Sequence, residues 1–293
     1  MEKDILLFVI NPYSGSTDNS NLHELIEKVC EAEKCSYQIF NTTGENDKNK
    51  IKAKIEEYNP HTVIAAGGDG TINLVASLLI NTNIRLGILP TGSANGLAYN
   101  LNITTNYTDE IKKIIAGKAH SVDTLLINDQ FYSIHLSDIG INARLIKRFE
   151  EDNTRGLFGY AKQLMNELKE GKKIFKATID TDKKSYQIKA EMILLANAKS
   201  FGTGAVINPK GKINDGIFEI IVLKPYPWWS IFSLFTKMFT GKINHLKYIK
   251  TIQTTKAHIR LNTEQIIQTD GEVLGKKQNV TIQTRPQSLN IIY

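Results

Sequence analysis

Val63-Ile64-Ala65-Ala66-Gly67-Gly68-Asp69-Gly70-Thr71-Ile72-Asn73 decides how the rest of the chain is read. A short apolar, partly β-branched run ends in glycines, an acid and a hydroxyl residue. Ile72, Val75, Ala76 and Leu79 then recur at helical spacing. The pattern is strand, tight turn, helix. Glycines let a phosphate approach the backbone, and the unpaired amides at a helix start favour anions. Asp69 is the unusual member, because a carboxylate repels a polyphosphate unless a cation lies between them. An acid at this place points to Mg2+ or to work on a proton. Taken by itself, the run is equally satisfied by a plain glycine turn with a capping acid.

Working outward, Ile5–Ile10, Ser36–Phe40, Thr62–Ala66 and Ile84–Leu89 read as strands. Helical patterns lie between or after them, at Leu22–Val29, Ile51–Tyr58, Ile72–Ile80 and Ile111–Ile115. Such alternation predicts a doubly wound, mainly parallel α/β sheet over residues 1–122. Three of its strands run into glycine- and hydroxyl-rich loops, which in such a sheet share the edge where ligands bind. From about residue 122 the pattern becomes strand-rich: Val122–Ile127, Phe131–Leu136, Lys176–Asp180, Tyr186–Ala196, Ile217–Leu223, Ala257–Leu261, Ile266–Thr269 and Val280–Gln283. Helical stretches interrupt at about 157–170 and 228–239. A second, β-sandwich domain over 123–284 is expected, with the last strand, about 285–293, free to return to the first domain.

The 293 residues carry 36 basic and 30 acidic side chains, unevenly placed. Residues 1–122 hold 11 basic and 14 acidic residues, and the remainder hold 25 and 16. A basic second half suits an anionic partner. Nucleic acid is not expected, since no recognition helix or RNP-type pattern is present and the basic residues are dispersed. Cys30 and Cys35 are the two cysteines, with no framework for zinc or disulfides, which fits a cytoplasmic protein. The N-terminus has no signal-peptide pattern, and no apolar run reaches the roughly 18 residues of a spanning helix. Pro225–Phe239 holds both tryptophans and several phenylalanines, and Lys237, Lys242, Lys247 and Lys250 lie within or beyond it. Aromatics beside lysines suit the surface of an anionic membrane. They equally suit a helix packed on the sandwich through Trp228, Phe232 and Phe235.

Asn11–Ser16 follows a strand and would cap a helix or hold phosphates through backbone amides. It lacks the lysine of a Walker A loop. Thr42 and Thr43 also follow a strand. Asp270-Gly271-Glu272 is in isolation an ordinary turn; facing the loops above, it would offer carboxylates to a hydroxyl nucleophile or a metal.

These residues together resemble the diacylglycerol kinase catalytic family, which includes sphingosine kinases and the bacterial soluble lipid kinases. Asn11-Pro12-x-Ser14-Gly15, Gly67-Gly68-Asp69-Gly70-Thr71-x-Asn73, Leu89-Pro90-x-Gly92-Ser93-x-Asn95-x-x-Ala98 and Asp270-Gly271-Glu272 occur in the family's order and approximate spacing. Gly140, Asn197 with Gly202 and Gly204, and Ile213-Asn214-Asp215-Gly216-Ile217 extend the likeness over nearly the whole chain. The resemblance implies a nucleotide-binding α/β domain, a C-terminal β-sandwich and ATP in the cleft. It implies ATP contacts from Asn11, Pro12, Ser14, Gly15, Ser16, Thr42, Gly67, Gly68, Asp69, Gly70, Thr71, Asn73 and Ser93. It implies Mg2+ at Asp215 with the carbonyls of Lys212 and Ile217. Glu272 or Asp270 would match the catalytic acid/base pair, with Asp69 the competing candidate.

An ATP- and Mg2+-dependent lipid kinase is therefore expected, peripherally bound to a membrane and phosphorylating diacylglycerol, a phosphatidylglycerol-like lipid or a sphingoid base. Gly92-Ser93-Ala94-Asn95-Gly96-Leu97-Ala98 is closer to the sphingosine kinase form than to the usual bacterial run. At the position where sphingosine kinases carry an acid stands Arg144, which would repel an amine and welcome a phosphate. Asn95 and Arg144 are the candidate substrate contacts. An NAD kinase-type phosphotransferase shares the Gly-Gly-Asp-Gly-Thr run and is the alternative, beside a non-catalytic lipid- or nucleotide-binding module. The sequence leaves a homodimer open.

Overall fold

The fold is that of a computed structural model, which describes residues 5–15, 20–93, 95–140, 173–201, 205–227, 229–230, 233, 236–237 and 240–293. The chain divides into two compact units, Met1–Val122 with Gln287–Tyr293, and Asp123–Pro286.

The first unit is a parallel sheet with helices on both faces. Its elements are β1 (Ile5–Ile10), α1 (Ser20–Ala32), β2 (Ser36–Asn41), α2 (Asp47–Tyr58), β3 (Thr62–Gly67), α3 (Asp69–Leu79), β4 (Arg85–Pro90), α4 (Gly96–Asn100) and α5 (Tyr107–Ala116). The strand order is β2-β1-β3-β4, parallel throughout. β1 and β3 are apolar along nearly their whole length because both faces are covered. On one face Leu6, Phe8, Ile10 and Ile64 pack with Leu22, Ile26 and Val29 of α1 and Ile111 and Ile114 of α5. α2 and α3 pack together, and Ile51 of α2 with Ile72, Val75 and Leu79 of α3 is fully buried outside that cluster. α3 starts at Asp69, three residues before the apolar periodicity begins, so its first turn lies inside the glycine motif.

The second unit is built from antiparallel strands. β5 (Ala119–Ile127) crosses the boundary and pairs with β6 (Phe131–Ser133). There follow β7 (Leu136–Gly140), β8 (Phe175–Thr181), β9 (Ser185–Ala190), β10 (Met192–Ala196), the short β11 (Ser200–Phe201) and β12 (Ala205–Val206), β13 (Phe218–Leu223), β14 (Ile249–Thr254), β15 (Lys256–Thr269) and β16 (Glu272–Ile292). β14, β13, β10, β7, β15 and β16 form a continuous ladder, with the β8–β9 hairpin joined to β15. Alternate residues of these strands, among them Ile139, Phe175, Ile193, Leu195, Phe218, Ile220, Ile259 and Val280, meet in one buried core. The opposite face of β10 and β13 buries Leu194 and Ile221 against Ile207, Ile243 and Leu246. Among the described residues no helix is long and apolar enough to cross a membrane.

Several expected strands are subdivided or merged. Phe131–Leu136 breaks into β6 and β7 at Ile134–His135. Tyr186–Ala196 breaks at Glu191, a buried acid whose amide donates to Leu223 O (2.9 Å). Ala257–Leu261 and Ile266–Thr269 merge into β15 across an irregularity between Arg260 and Gln265. Val280–Gln283 and the terminal strand merge into β16, whose last residues pair in parallel with β4, Asn290 beside Arg85 and Ile291 beside Leu86. β14 is additional. The expected helix at about 157–170 lies outside the described residues, as does most of that at 228–239.

Candidate functional site

In the first unit, the loops after β1, β3 and β4 interlock at one edge of the sheet. Asn11 Nδ2 donates to Thr71 Oγ1 (3.2 Å) and Asn11 N to Ala66 O (2.9 Å), tying the first loop to the second. Ser14 Oγ bonds Asn11 O (2.9 Å) and the Thr91 hydroxyl, tying the first loop to the third. Glycine is required at the crossings. A Cβ on Gly15, where φ is +72°, would stand 2.1 Å from Thr91 O. One on Gly92 would stand 2.4 Å from Gly68 Cα, and one on Gly67 would strike the Thr71 side chain. Gly15 and Gly92 therefore serve loop-to-loop packing and Gly67 makes room for Thr71 of its own turn, whereas the space around Gly70 is open. Gly70 and Thr71 lie in the first turn of α3, where amides have no partner within the helix and the helix dipole favours an anion.

Asp69 is held in place by main-chain donors. Its Oδ2 accepts from Gly96 N (3.1 Å) and its Oδ1 from Leu97 N (3.3 Å), at the start of α4. Asn95, with φ +50°, folds its side chain back on its own loop, accepting from Gly92 N (3.0 Å) and donating to Gly92 O (2.7 Å). Thr42 is buried and its amide donates to Ile10 O (2.8 Å), so its loop also stands at this edge. The next residues are fixed by Asp47, which accepts from Thr43 N (2.9 Å) and Gly44 N (2.8 Å). Burial works to raise the Asp47 carboxyl, but these amides outweigh it and hold it below its ordinary value. Pro12 and Ser93 are exposed, and Asn73 is half-buried. Ser16 and Arg144 lie outside the described residues.

In the second unit, Asp270 and Gly271 form a two-residue hairpin turn between β15 and β16, with Thr269 paired to Glu272. Both have positive φ, +48° and +94°, which is the requirement of a type I′ turn and the reason Asp-Gly is favoured there. The Asp270 carboxylate is saturated with donors. Oδ1 accepts from His135 N (3.0 Å), Leu136 N (2.8 Å) and Ser133 Oγ (3.2 Å), and Oδ2 from Ile134 N (2.7 Å). This is why β6 and β7 separate where the sequence reads as one strand: the amides at the break turn to Asp270 instead of a neighbouring strand. Burial pushes the Asp270 carboxyl above its ordinary value, against the opposing pull of His135 and the three amides. Glu272, two residues on, is exposed, and its side chain makes no hydrogen bond or ion pair among the described residues.

The loop 212–217 is the third element. Asp123, fully buried, accepts from Gly216 N (2.6 Å), and its own amide donates to Ile213 O (2.7 Å). Asp215 is exposed, with Oδ1 accepting from Ile217 N (3.3 Å). Asn197 is buried and donates to Asp123 O (2.8 Å) and Ile134 O (2.9 Å), linking this loop's anchor to the β6–β7 break.

Comparison with known proteins bears on both units. Residues 5–127 match the model of the diacylglycerol kinase catalytic domain, and residues 137–293 match the YegS C-terminal NAD kinase beta sandwich-like domain. The chain belongs to the diacylglycerol kinase catalytic-domain family. Lipid kinase YegS of Escherichia coli (strain K12) is 29% identical over 220 residues, 73% of this chain and 72% of that one. An uncharacterized protein of Synechocystis sp. is 27% identical over 301 residues, 97% of this chain and 69% of the other. A crystal structure of a diacylglycerol kinase from Bacillus anthracis str. Sterne superposes with a TM-score of 0.74 at 19% identity, covering 100% of this chain and 98% of that one. A second structure from that organism reaches 0.81 at 21% identity with the same coverage. At these identities the structural likeness is one of fold.

The protein is thus a kinase of the lipid kinase family. The residues present fit the groups such an enzyme uses. First-turn amides beside an open glycine suit a phosphate. Asp215, an exposed carboxylate, offers hard oxygen donors of the kind Mg2+ accepts. Among the described residues there is no cluster of three or more His, Cys, Asp or Glu side chains suited to a metal. Sequence reasoning missed Asp47, Asp123, Thr91 and the Ser133–Leu136 loop. Asp123 carried a legible signal, as an acid inside the apolar run Val122–Ile127.

Proposed function

We propose that the chain transfers the γ-phosphoryl group of ATP, with Mg2+, to a hydroxyl of a membrane lipid. The observation that carries this is the interlocking of the Asn11–Gly15, Gly67–Asn73 and Thr91–Asn95 loops around the first turn of α3. Phosphoryl transfer needs positioning and charge neutralisation more than covalent help. The loop amides grip the phosphates, and Gly70 admits them to the backbone. Mg2+ would be held by Asp215 with the carbonyls of Lys212 and Ile217, and would supply positive charge at that loop. Glu272 takes the proton of the lipid hydroxyl. Of the three candidate acids it is the exposed one, whereas Asp270 already accepts four hydrogen bonds and Asp69 two. Asp69 and Asp270 organise the loops around them.

The substrate class is a lipid with a free hydroxyl, reached by peripheral contact with an anionic membrane from the cytoplasmic side. Support comes from Trp229, 65% exposed, and from Tyr248, whose ring lies tilted against Tyr226 with Lys247 Nζ 5.1 Å from its centre. An NAD kinase-type activity is the second reading, favoured by the description of the matched sandwich domain. γ-Labelled ATP incubated with vesicles of diacylglycerol, phosphatidylglycerol or a sphingoid base, and separately with NAD, decides between them. Label is expected in lipid, only with Mg2+, and is expected to vanish in Glu272→Gln. Label in the dinucleotide overturns the proposal.

A further inference from the structure

We infer that Asp138 and Gln268 form a buried relay that fixes the Asp270–Glu272 turn, making both of them positioning residues for the acid at its end. The inference rests on the reading above that Glu272 takes the lipid proton.

Asp138 is an acid in the middle of β7, fully buried, in a strand otherwise made of Leu136, Ser137, Ile139 and Gly140. It stands opposite Gln268 of β15 in the antiparallel register, and Gln268 is 1% exposed. The two side chains are bonded, Gln268 Nε2 donating to Asp138 Oδ2. The other end of the same amide is used as well, with Gln268 Oε1 accepting from Gly271 N (2.7 Å). The direction of the relay is dictated by its last member. Gly271 N–H can only donate, so the carbonyl end of Gln268 must face it and the amide end must face away. The acceptor it then meets is Asp138.

The placement explains an otherwise costly arrangement. A carboxylate and a carboxamide inside a strand-on-strand contact give up hydration, and a leucine pair would pack there without that loss. What the polar pair adds is a hold on one amide of the turn. Asp270 grips the β6–β7 loop on one side, through Ile134, His135 and Leu136. The relay grips Gly271 from within the sheet. The turn is then anchored at two successive residues to the same strand region, Leu136–Asp138, and Glu272 leaves it with its backbone direction set. Gly271 needs such a hold. Its φ of +94° is open only to glycine, nothing lies within 4 Å of where a Cβ would stand, and glycine is the most mobile of residues.

The test measures the Gly271 amide and catalysis separately. In the unmodified protein, labelled with 15N, this amide in an exposed turn is expected to exchange with solvent at least tenfold slower than an unstructured glycine; exchange at the unstructured rate overturns the relay without any variant. Gln268→Met keeps volume and removes both bonds. It is expected to speed exchange of Gly271 at least tenfold and to lower kcat ten- to a hundredfold, while KM for ATP stays within twofold. Asp138→Asn keeps a carbonyl acceptor for Gln268 and is expected to keep the slow exchange of Gly271; exchange as fast as in Gln268→Met overturns the relay. Unchanged Gly271 exchange in Gln268→Met, or accelerated exchange with unchanged kcat, overturns the inference. An active Glu272→Gln instead sinks the reading on which it rests, and the exchange data still report on the relay itself.

Discussion

Replacing Gly92 by alanine adds one methyl group at the place where the third phosphate-edge loop crosses the second. That methyl would stand 2.4 Å from Gly68 Cα, 3.1 Å from Gly68 N and 2.8 Å from Asn95 Oδ1. Ordinary carbon contacts begin near 3.4 Å, so the loops must part by about 1 Å, and two of the three atoms are main chain that cannot rotate away. Overpacking of this kind costs about 1–3 kcal/mol, a fall of roughly 3–9 °C in melting temperature at about 3 °C per kcal/mol. The larger effect is on function. Gly68 caps α3, and a shift of about 1 Å at a positioning element costs on the order of a hundredfold in rate. Gly70→Ala is the control, since open space surrounds that position and alanine favours a helix by up to about 1 kcal/mol. Its stability is expected to hold or rise, while ATP affinity falls because the new methyl stands where phosphate approaches. Urea unfolding and steady-state phosphorylation, measured on both variants, are the assays. Gly92→Ala with unaltered stability and unaltered KM for ATP would show that these loops do not lean on one another.

Asp47→Asn tests the β2–α2 loop through pH. The folded Asp47 carboxyl lies below its ordinary value of 3.8, so its contribution is fully present above that value and is lost as pH falls through the folded value. The stability gap between the unmodified protein and Asp47→Asn, read by urea unfolding, is expected to shrink between pH 6 and about pH 3; a constant gap refutes the assignment. Asp270→Asn turns an amide group against main-chain donors that now meet a carboxylate, and is expected to lower stability by about 1–3 kcal/mol and to speed exchange at Ile134–Leu136. Full activity together with full stability would remove Asp270 from the organising role.

Much of the first unit was legible because each strand is a separate apolar run and each helix has its own periodicity. The glycine loops were legible as well, although for a different reason than the one that placed them. Gly15 and Gly92 make room for neighbouring loops, Gly67 makes room for Thr71 of its own turn, and Gly70 is the member left open to a ligand. What escaped the sequence depends on partners remote along the chain. Phe131–Leu136 looks like one strand until Asp270, some 135 positions later, draws away the amides at its middle. Asp69 reads as a loose acid in a phosphate loop until Gly96 and Leu97 are found bonded to it. Asp138 was invisible for the same reason, since nothing in Leu136–Gly140 announces that Gln268 lies opposite.

β16 leaves the Asp-Gly hairpin in the second unit and ends beside β4 in the first. During synthesis the outer edge of β4 is therefore bare until Asn290 and Ile291 have emerged from the ribosome. At roughly 5–20 residues per second, the stretch between residues 122 and 290 keeps that edge waiting on the order of ten to thirty seconds. The nascent α/β unit carries an unprotected template for strand addition throughout that interval, and a shortened chain lacking those residues would keep it permanently.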